Sequence, residues 1–198
     1  MADVLERSIV ARSDAAGILE RIGDPAVGLA IWRRPVPQDA RAVATRLTEG
    51  VVSVRCVMTL ERKAISALAG HLASVDLDSE ALAFDLGLLA RIFAVATGHE
   101  AFSLRLETVR DDGCTRFHVD NVAMRMVTTY SGAGTQWVPD PDALSDQTRY
   151  RRPVHAINTG DVALFRGKKL DGATVPHRSP KVGGGETRFV AVLDPLVS

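Results

Sequence analysis

Residues 116–121, with the sequence RFHVDN, contain the two side chains whose types and spacing best suit metal binding. His118 and Asp120 are separated by a single residue. In an extended strand, side chains two positions apart project from the same face. The imidazole and the carboxylate would then point to one place in space, where a third ligand would complete a metal site. The alternative is a surface pair at the end of a strand.

A second histidine and an arginine follow in the order that such a site requires. His177 lies in the sequence TVPHRSP, after a strand signal at residues 160–165, and Arg188 begins the sequence RFVAVLD. Two histidines and one carboxylate on a β scaffold form the facial triad that holds Fe(II) and leaves coordination positions open. Arg188, placed after a turn at residues 182–185, would bind a dicarboxylate through its planar guanidinium.

Cys114 makes a different metal site conceivable. A thiolate is a soft ligand, so Cys114 together with His118, Asp120 and His177 would form a closed tetrahedral zinc site with a structural purpose. In the other interpretation Cys114 is a small buried residue or a neighbour of the ligands. Asn121 is a candidate for the same two roles, as an extra ligand or a neighbour. A closed site does no redox chemistry, so this choice separates two kinds of protein.

The residues that position this site belong to a β-rich second half. After Gly98 the sequence contains short β-like segments, broken by glycine, proline and aspartate. They lie at residues 103–110, 114–119, 124–130, 162–165, 174–177 and 188–194. A β region of about 100 residues suits a sandwich or barrel such as a jelly roll. Residues 138–152 are polar but too few to divide two domains, so they are predicted to be a long loop.

The first half is predicted to be mainly helical. Apolar residues recur at helical spacing in residues 38–50, 61–73 and 79–97, and strands are expected at 28–32 and 51–60. The predicted fold class is α+β, with N-terminal helices packed on a C-terminal antiparallel double-stranded β-helix, or jelly roll. Residues 1–198 are predicted to form a single domain. Within it, residues 1–39 are a peripheral lead-in, 40–98 hold helices and one strand, and 99–198 form the metal-binding β core.

Composition and charge limit the partners. Basic and acidic residues both number 24, so the formal net charge is zero, and 46% of the residues are hydrophobic. A neutral chain has no long-range field that favours nucleic acid or an anionic membrane. Two cysteines do not form a disulfide framework, and neither a signal peptide nor a membrane-spanning run is recognisable. We therefore expect a cytoplasmic protein that binds neither nucleic acid nor membrane.

The order of these features resembles the iron- and 2-oxoglutarate-dependent oxygenases, particularly the prolyl-hydroxylase-like branch. The resemblance covers residues 104–194. It is carried by His118-x-Asp120, Arg125, Thr129-Tyr130, Gly132-x-Gly134-Thr135, Gly160-Asp161, His177 to Pro180, and Arg188.

This resemblance implies a set of roles. His118, Asp120 and His177 would hold Fe(II), and Arg188 would pair with the distal carboxylate of 2-oxoglutarate. Tyr130 or Thr129 would resemble the strand residue that adds a hydrogen bond to this cosubstrate. The implied activity is hydroxylation of an unidentified small molecule or protein side chain.

The whole chain more closely resembles a bacterial family that is known only as a domain of unknown function. The shared motifs lie at residues 111–121, 129–137 and 176–180. This resemblance implies a role under metal limitation, so the second hypothesis is a non-catalytic zinc-binding protein of metal homeostasis that uses the His/Asp/His site plus Cys114. Arg125, Trp137 and Arg105 are candidate pocket residues, although Trp137 and Tyr130 also suit the core.

Overall fold

Ten strands in two sheets position the residues of interest. They lie in the part of the chain that the computed structural model describes, which is residues 9–38, 40, 53–60, 68–70, 72–73, 80–110, 114–145, 153–181 and 186–196. The strands are β1 (Val10–Ser13), β2 (Leu29–Trp32), β3 (Ser53–Thr59), β4 (Ala101–Val109), β5 (Met124–Ser131), β6 (Gln136–Trp137), β7 (His155–Ala156), β8 (Val162–Arg166), β9 (His177–Arg178) and β10 (Arg188–Pro195). Helix α1 spans Glu80–Thr97, and 3-10 helices span Ala16–Gly23 and Pro141–Leu144.

The two sheets differ in size. The large sheet has seven strands in the order β1-β2-β8-β5-β10-β4-β3, and the small sheet has three in the order β7-β6-β9. All pairings within the sheets are antiparallel except that of β1 with β2. The segment between β4 and β5 reaches the small sheet, because His118 forms an isolated antiparallel bridge with His177 of β9.

One face of the large sheet packs against helix α1. In β4, Phe102, Leu104 and Leu106 are buried and alternate with partly exposed residues, as the period of two in a strand requires. They share one hydrophobic cluster with the inner face of α1, where Phe93 meets Phe102 edge-on at a ring distance of 5.5 Å. Gly98 directly follows the helix and adopts φ +72°, a conformation that favours glycine. The opposite face of the large sheet faces the small sheet, and a cavity lies between them.

The predicted α+β class is confirmed, and most described strands and α1 lie close to their predicted positions. The predicted helix at 38–50 lies almost entirely outside the described residues, as does most of the one at 61–73, of which residues 68–70 and 72–73 are helical. Residues 10–32, part of the predicted lead-in, contribute β1 and β2 to the large sheet. Within the described residues, no helix is long and apolar enough to cross a membrane.

Candidate metal centre

The three predicted metal ligands come from two segments that hydrogen bonds hold together. The backbone N–H of His118 donates to the carbonyl of His177 at 3.0 Å, and the N–H of His177 donates to the carbonyl of His118 at 2.9 Å. Asp120 follows two residues after His118 and precedes β5. This bridge brings together side chains that are 57 residues apart in the sequence.

The side chains of His118, Asp120 and His177 converge. Nε2 of His177 lies 2.9 Å from Oδ2 of Asp120, and Nε2 of His118 lies 3.6 Å from its Oδ1. Each residue offers one ligand atom, and these atoms all lie within 4.8 Å of one another. Asp120 and His177 are buried, whereas His118 is partly exposed. The three side chains could therefore hold one metal ion that is reached from the His118 side.

The hydrogen bonds of the two rings fit a cation at this point. Nδ1 of His118 lies 2.9 Å from the carbonyl of Arg116, and Nδ1 of His177 lies 3.1 Å from that of Val175. A carbonyl only accepts hydrogen bonds, so each Nδ1 carries a hydrogen. Nε2 of each ring faces the Asp120 carboxylate instead. A metal ion bound by the two Nε2 atoms and the carboxylate would leave both Nδ1 hydrogen bonds in place.

Arg125 completes the surroundings of the carboxylate. Its Nη1 donates to Oδ1 of Asp120, and its Nε and Nη2 donate to the Asp194 carboxylate at 2.6 and 2.7 Å. Burial alone would raise the pKa of Asp120, but the contacts with both histidines and the charge of Arg125 hold it far below its ordinary value. The Asp120 carboxylate therefore stays ionised. The same carboxylate raises the pKa of His118.

Cys114 lies beside the three predicted ligands and outside their converging group. Its sulfur is 3.4 Å from Nδ1 of His118, on the ring edge opposite the Nε2 that faces Asp120. The residue is exposed, so the interpretation as a small buried residue is wrong. Its contact with His118 is that of a neighbour of a ligand. Asn121 is also exposed.

A cavity of about 320 Å³ opens next to this cluster. His118 and His177 line it on the small-sheet side, and Val127, Val190 and Val192 form its apolar wall on the large sheet. Four arginines reach it: Arg105, Arg125, Arg178 and Arg188. A pocket with one apolar wall and a few convergent polar groups is the usual form of a small-molecule site.

Arg188 projects from β10 into this cavity while only 3% of it is exposed. Its Nε donates to the carbonyl of Ala133 at 2.5 Å, and it forms no ion pair with any acidic side chain in the described part of the chain. Burial lowers the pKa of Arg188 to about 10. A buried guanidinium with free donors is a ready site for an anion.

Thr135, which sequence reasoning did not assign a role, also lines the cavity. The signal was present, because Thr135 ends the Gly132-x-Gly134-Thr135 motif. A Cβ at Gly134 would lie 1.7 Å from the carbonyl oxygen of Ile157, and Gly132 has φ +81°. Only glycines allow this turn to pack so closely, and the turn carries Thr135 to the cavity.

The structure places three other candidates elsewhere. Tyr130, proposed as a cosubstrate ligand, lies on the helix side of the large sheet, where its hydroxyl donates to Asp85 at 2.6 Å. Thr129 is buried, and neither it nor Trp137 lines the cavity. Trp137 packs in the core and stacks on His155 at a ring distance of 4.4 Å. Of the candidate pocket residues, Arg105 and Arg125 do line the cavity.

Solved structures with the same fold include two plant dioxygenases. The rice dioxygenase for auxin oxidation matches with a TM-score of 0.61 at 12% identity, over 95% of this chain and 82% of its own. Dioxygenase for auxin oxidation 1 from Arabidopsis thaliana, in a complex with 2-oxoglutarate, matches with a TM-score of 0.50 at 12% identity, over 95% and 92%. At such identities the likeness shows the fold alone.

Sequence comparison gives a family without an activity. No curated protein sequence matches this chain. The model of one family, described as "Protein of unknown function (DUF1826)", matches residues 13–194. This match spans nearly the whole chain, and the protein therefore belongs to the DUF1826 family.

Proposed function

We propose that this protein is an Fe(II)- and 2-oxoglutarate-dependent oxygenase that hydroxylates a small molecule or a protein side chain. One observation carries the proposal. Two histidines and an ionised aspartate converge beside a cavity in which the buried Arg188 has no acidic partner among the described residues. A metal site and an anion site thus share one cavity, in a chain with the fold of 2-oxoglutarate-binding dioxygenases.

His118, Asp120 and His177 would hold the iron. Two histidines and one carboxylate are the ligand set of non-haem Fe(II) oxygenases, which leaves positions for other ligands. When bound, Fe(II) and 2-oxoglutarate supply the oxidising power for hydroxylation. The protein fixes both rings through the Arg116 and Val175 carbonyls, so that each Nε2 faces Asp120, where the metal would bind.

Arg188 would bind the distal carboxylate of 2-oxoglutarate. Its hydrogen bond within the described residues uses Nε, which donates to the Ala133 carbonyl, so both Nη groups retain donors. A guanidinium can bind a carboxylate through two parallel hydrogen bonds. Thr135 would add a hydroxyl on the same side of the cavity. The Val127, Val190 and Val192 wall would exclude water from the cosubstrate's carbon chain.

The proposal is tested with protein purified without a histidine tag. Bound metals are measured first, and Fe(II) and 2-oxoglutarate are then added without oxygen. We expect the visible charge-transfer band between the metal and its cosubstrate. Tight zinc binding with no band, even after the zinc has been removed, would exclude the oxygenase.

Ligand variants show whether the band arises at this site. In His177→Ala and Asp120→Ala, Fe(II) affinity should fall at least about 100-fold, because loss of even a supporting partner of a metal ligand costs about 10–100-fold. His99→Ala is the matched control, since His99 lies just after α1 and outside the converging group. Equal losses of affinity in the control and in the ligand variants would contradict the assignment.

A further inference from the structure

Arg178 is a fourth cavity arginine to which neither the metal nor the cosubstrate gives a role. It follows His177 directly in β9 and lines the same cavity. Two contacts fix its guanidinium. Nε donates to Oε1 of Gln136 at 2.8 Å, and the Cζ atom lies 4.3 Å from the ring centroid of the buried Phe117. A guanidinium stacked on an aromatic ring and tied at Nε is oriented before any ligand arrives.

The contacts of Arg178 leave its charge unmatched. Gln136 is neutral and Phe117 is apolar, so neither compensates the positive charge. Among the residues that the structure describes, Arg178 forms no ion pair with a carboxylate. By contrast, Arg125 is paired with Asp194, and Nη1 of Arg105 lies 3.7 Å from Oε2 of Glu107. Arg178 therefore differs from the two arginines of the cavity that are already paired.

The difference persists when the site is loaded as proposed. Asp120 and one carboxylate of 2-oxoglutarate would balance the two positive charges of Fe(II), and the other carboxylate would balance Arg188. Asp194 balances Arg125 and Glu107 balances Arg105. Among the described residues that line the cavity, one positive charge is left, and it is that of Arg178. A substrate with a single negative charge would complete the balance.

We infer that Arg178 binds a carboxylate of the substrate beside His177, so that the substrate is a small organic acid. This inference rests on the proposed oxygenase function. With Nε bound to Gln136, the two Nη groups keep four N–H donors, which suit the two oxygens of one carboxylate. A phosphate ester would bring about 1.5 to 2 negative charges at neutral pH, which exceeds the one charge of Arg178 that no described residue balances. The cavity of about 320 Å³ limits the acid to a small molecule.

The test measures binding to the anaerobic Fe(II) and 2-oxoglutarate complex of the full chain. Three acids are compared with their primary amides, which have nearly the same shape: phenylacetate and phenylacetamide, benzoate and benzamide, butyrate and butyramide. Calorimetry gives each affinity, and the charge-transfer band shows that 2-oxoglutarate stays bound. We expect at least one acid to bind about 10-fold or more tightly than its amide, as a charge-assisted hydrogen-bonded pair implies.

Variants of Arg178 show whether this residue causes the tighter binding of an acid than of its amide. In Arg178→Gln the acid should lose its advantage over the amide, whereas Arg178→Lys should keep part of it, because the charge stays and the planar fork is lost. Arg91→Gln is the matched control, because Arg91 is exposed on α1 and does not line the cavity, and there the preference should persist. The charge-transfer band should form in all three variants, which shows that each one folds and loads.

Each outcome decides between two claims. If the band forms but no acid binds better than its amide, or if the preference survives in Arg178→Gln, the assignment of Arg178 is wrong while the proposed oxygenase stands. If the band does not form in the unaltered protein, the proposed function itself fails, and the substrate assignment falls with it.

Discussion

Two arginines are buried near opposite faces of the large sheet, and their surroundings differ. On the helix side, Arg34 donates to both oxygens of Asp85, at 2.5 and 2.8 Å, and the Tyr130 hydroxyl donates to the same carboxylate. Burial alone would lower the pKa of Arg34, but Asp85 raises it. On the cavity side, Arg188 donates to the carbonyl of Ala133 and pairs with no carboxylate in the described part of the chain, and burial lowers its pKa.

Whether the donors of a buried arginine are satisfied within the chain indicates whether its role is structural or in binding. The Arg34 group is satisfied from within the chain, which is typical of a structural network. Arg166 shows that a carboxylate is not needed for this, because its guanidinium donates to four backbone carbonyls. They belong to Ile22, Asp24, Val27 and Asp171. Arg188 has comparable burial but free donors, so its partner is expected to come from outside the chain.

The largest change in stability is expected when the Arg34 group on the helix side loses its carboxylate. Asp85→Ala would leave the guanidinium of Arg34 and the hydroxyl of Tyr130 without their common acceptor in the core. Removal of one partner of a buried ion pair costs about 3–5 kcal/mol. We expect the free energy of unfolding, measured by urea denaturation, to fall by that amount.

The control for this variant is the same substitution in an aspartate–arginine pair that is exposed to solvent. Asp14 and Arg33 are paired at 2.9 Å, but their side chains are 79% and 51% exposed. Asp14→Ala should cost no more than about 1 kcal/mol, since exposed ion pairs contribute little. If Asp85→Ala were as mild as Asp14→Ala, the Arg34 group would not be the structural network described.

On the cavity side, removal of the buried charge is expected to raise the free energy of unfolding rather than lower it. Arg188→Met removes a buried charge that has no acidic partner in the described residues, so the ligand-free protein should gain about 1–2 kcal/mol in free energy of unfolding. The same change should weaken 2-oxoglutarate binding about 10-fold or more, because a charge-assisted bidentate contact is lost. Urea denaturation and anaerobic titration of the charge-transfer band measure the two effects.

A loss of stability in Arg188→Met would contradict the distinction between Arg188 and Arg34, because it would show that Arg188 also stabilises the fold. Arg105→Met serves as the control, since Arg105 is paired with Glu107 and is more exposed. It should change neither quantity as much. The combination of higher stability and weaker cosubstrate binding distinguishes a binding arginine from a structural one.

Much of this arrangement could be predicted from local sequence. The order of His118, Asp120, His177 and Arg188 identified the residues that converge beside the cavity, because alternation and turn residues indicated the strands around them. Tyr130 was misplaced although a local signal existed. It is spaced by multiples of two from Met124 and Met126, which face the helix side, so it shares that face.

Other features depend on contacts that no local pattern encodes. Arg34 and Asp85 are separated by 51 residues, and neither lies in a recognisable motif. Likewise, β2 joins the large sheet through β8, which is more than 100 residues further along the chain. Such pairings are set by the packing of the whole core, which a single sequence does not show.

The smallest change in metal affinity is expected for a variant of Cys114. It tests whether the metal site takes all its ligands from the chain, as the Arg34 group takes all its partners. A zinc site completed by this thiolate would be satisfied from within the chain, like the Arg34 group. Because the sulfur contacts Nδ1 of His118 and not the Nε2 edge, Cys114→Ser should change Fe(II) and Zn(II) affinity by less than about 10-fold, the lower end for a neighbour of a ligand. Competition with a chelator measures both metals. A loss of zinc affinity as large as that in His177→Ala would instead make Cys114 a ligand and the site a closed, structural one.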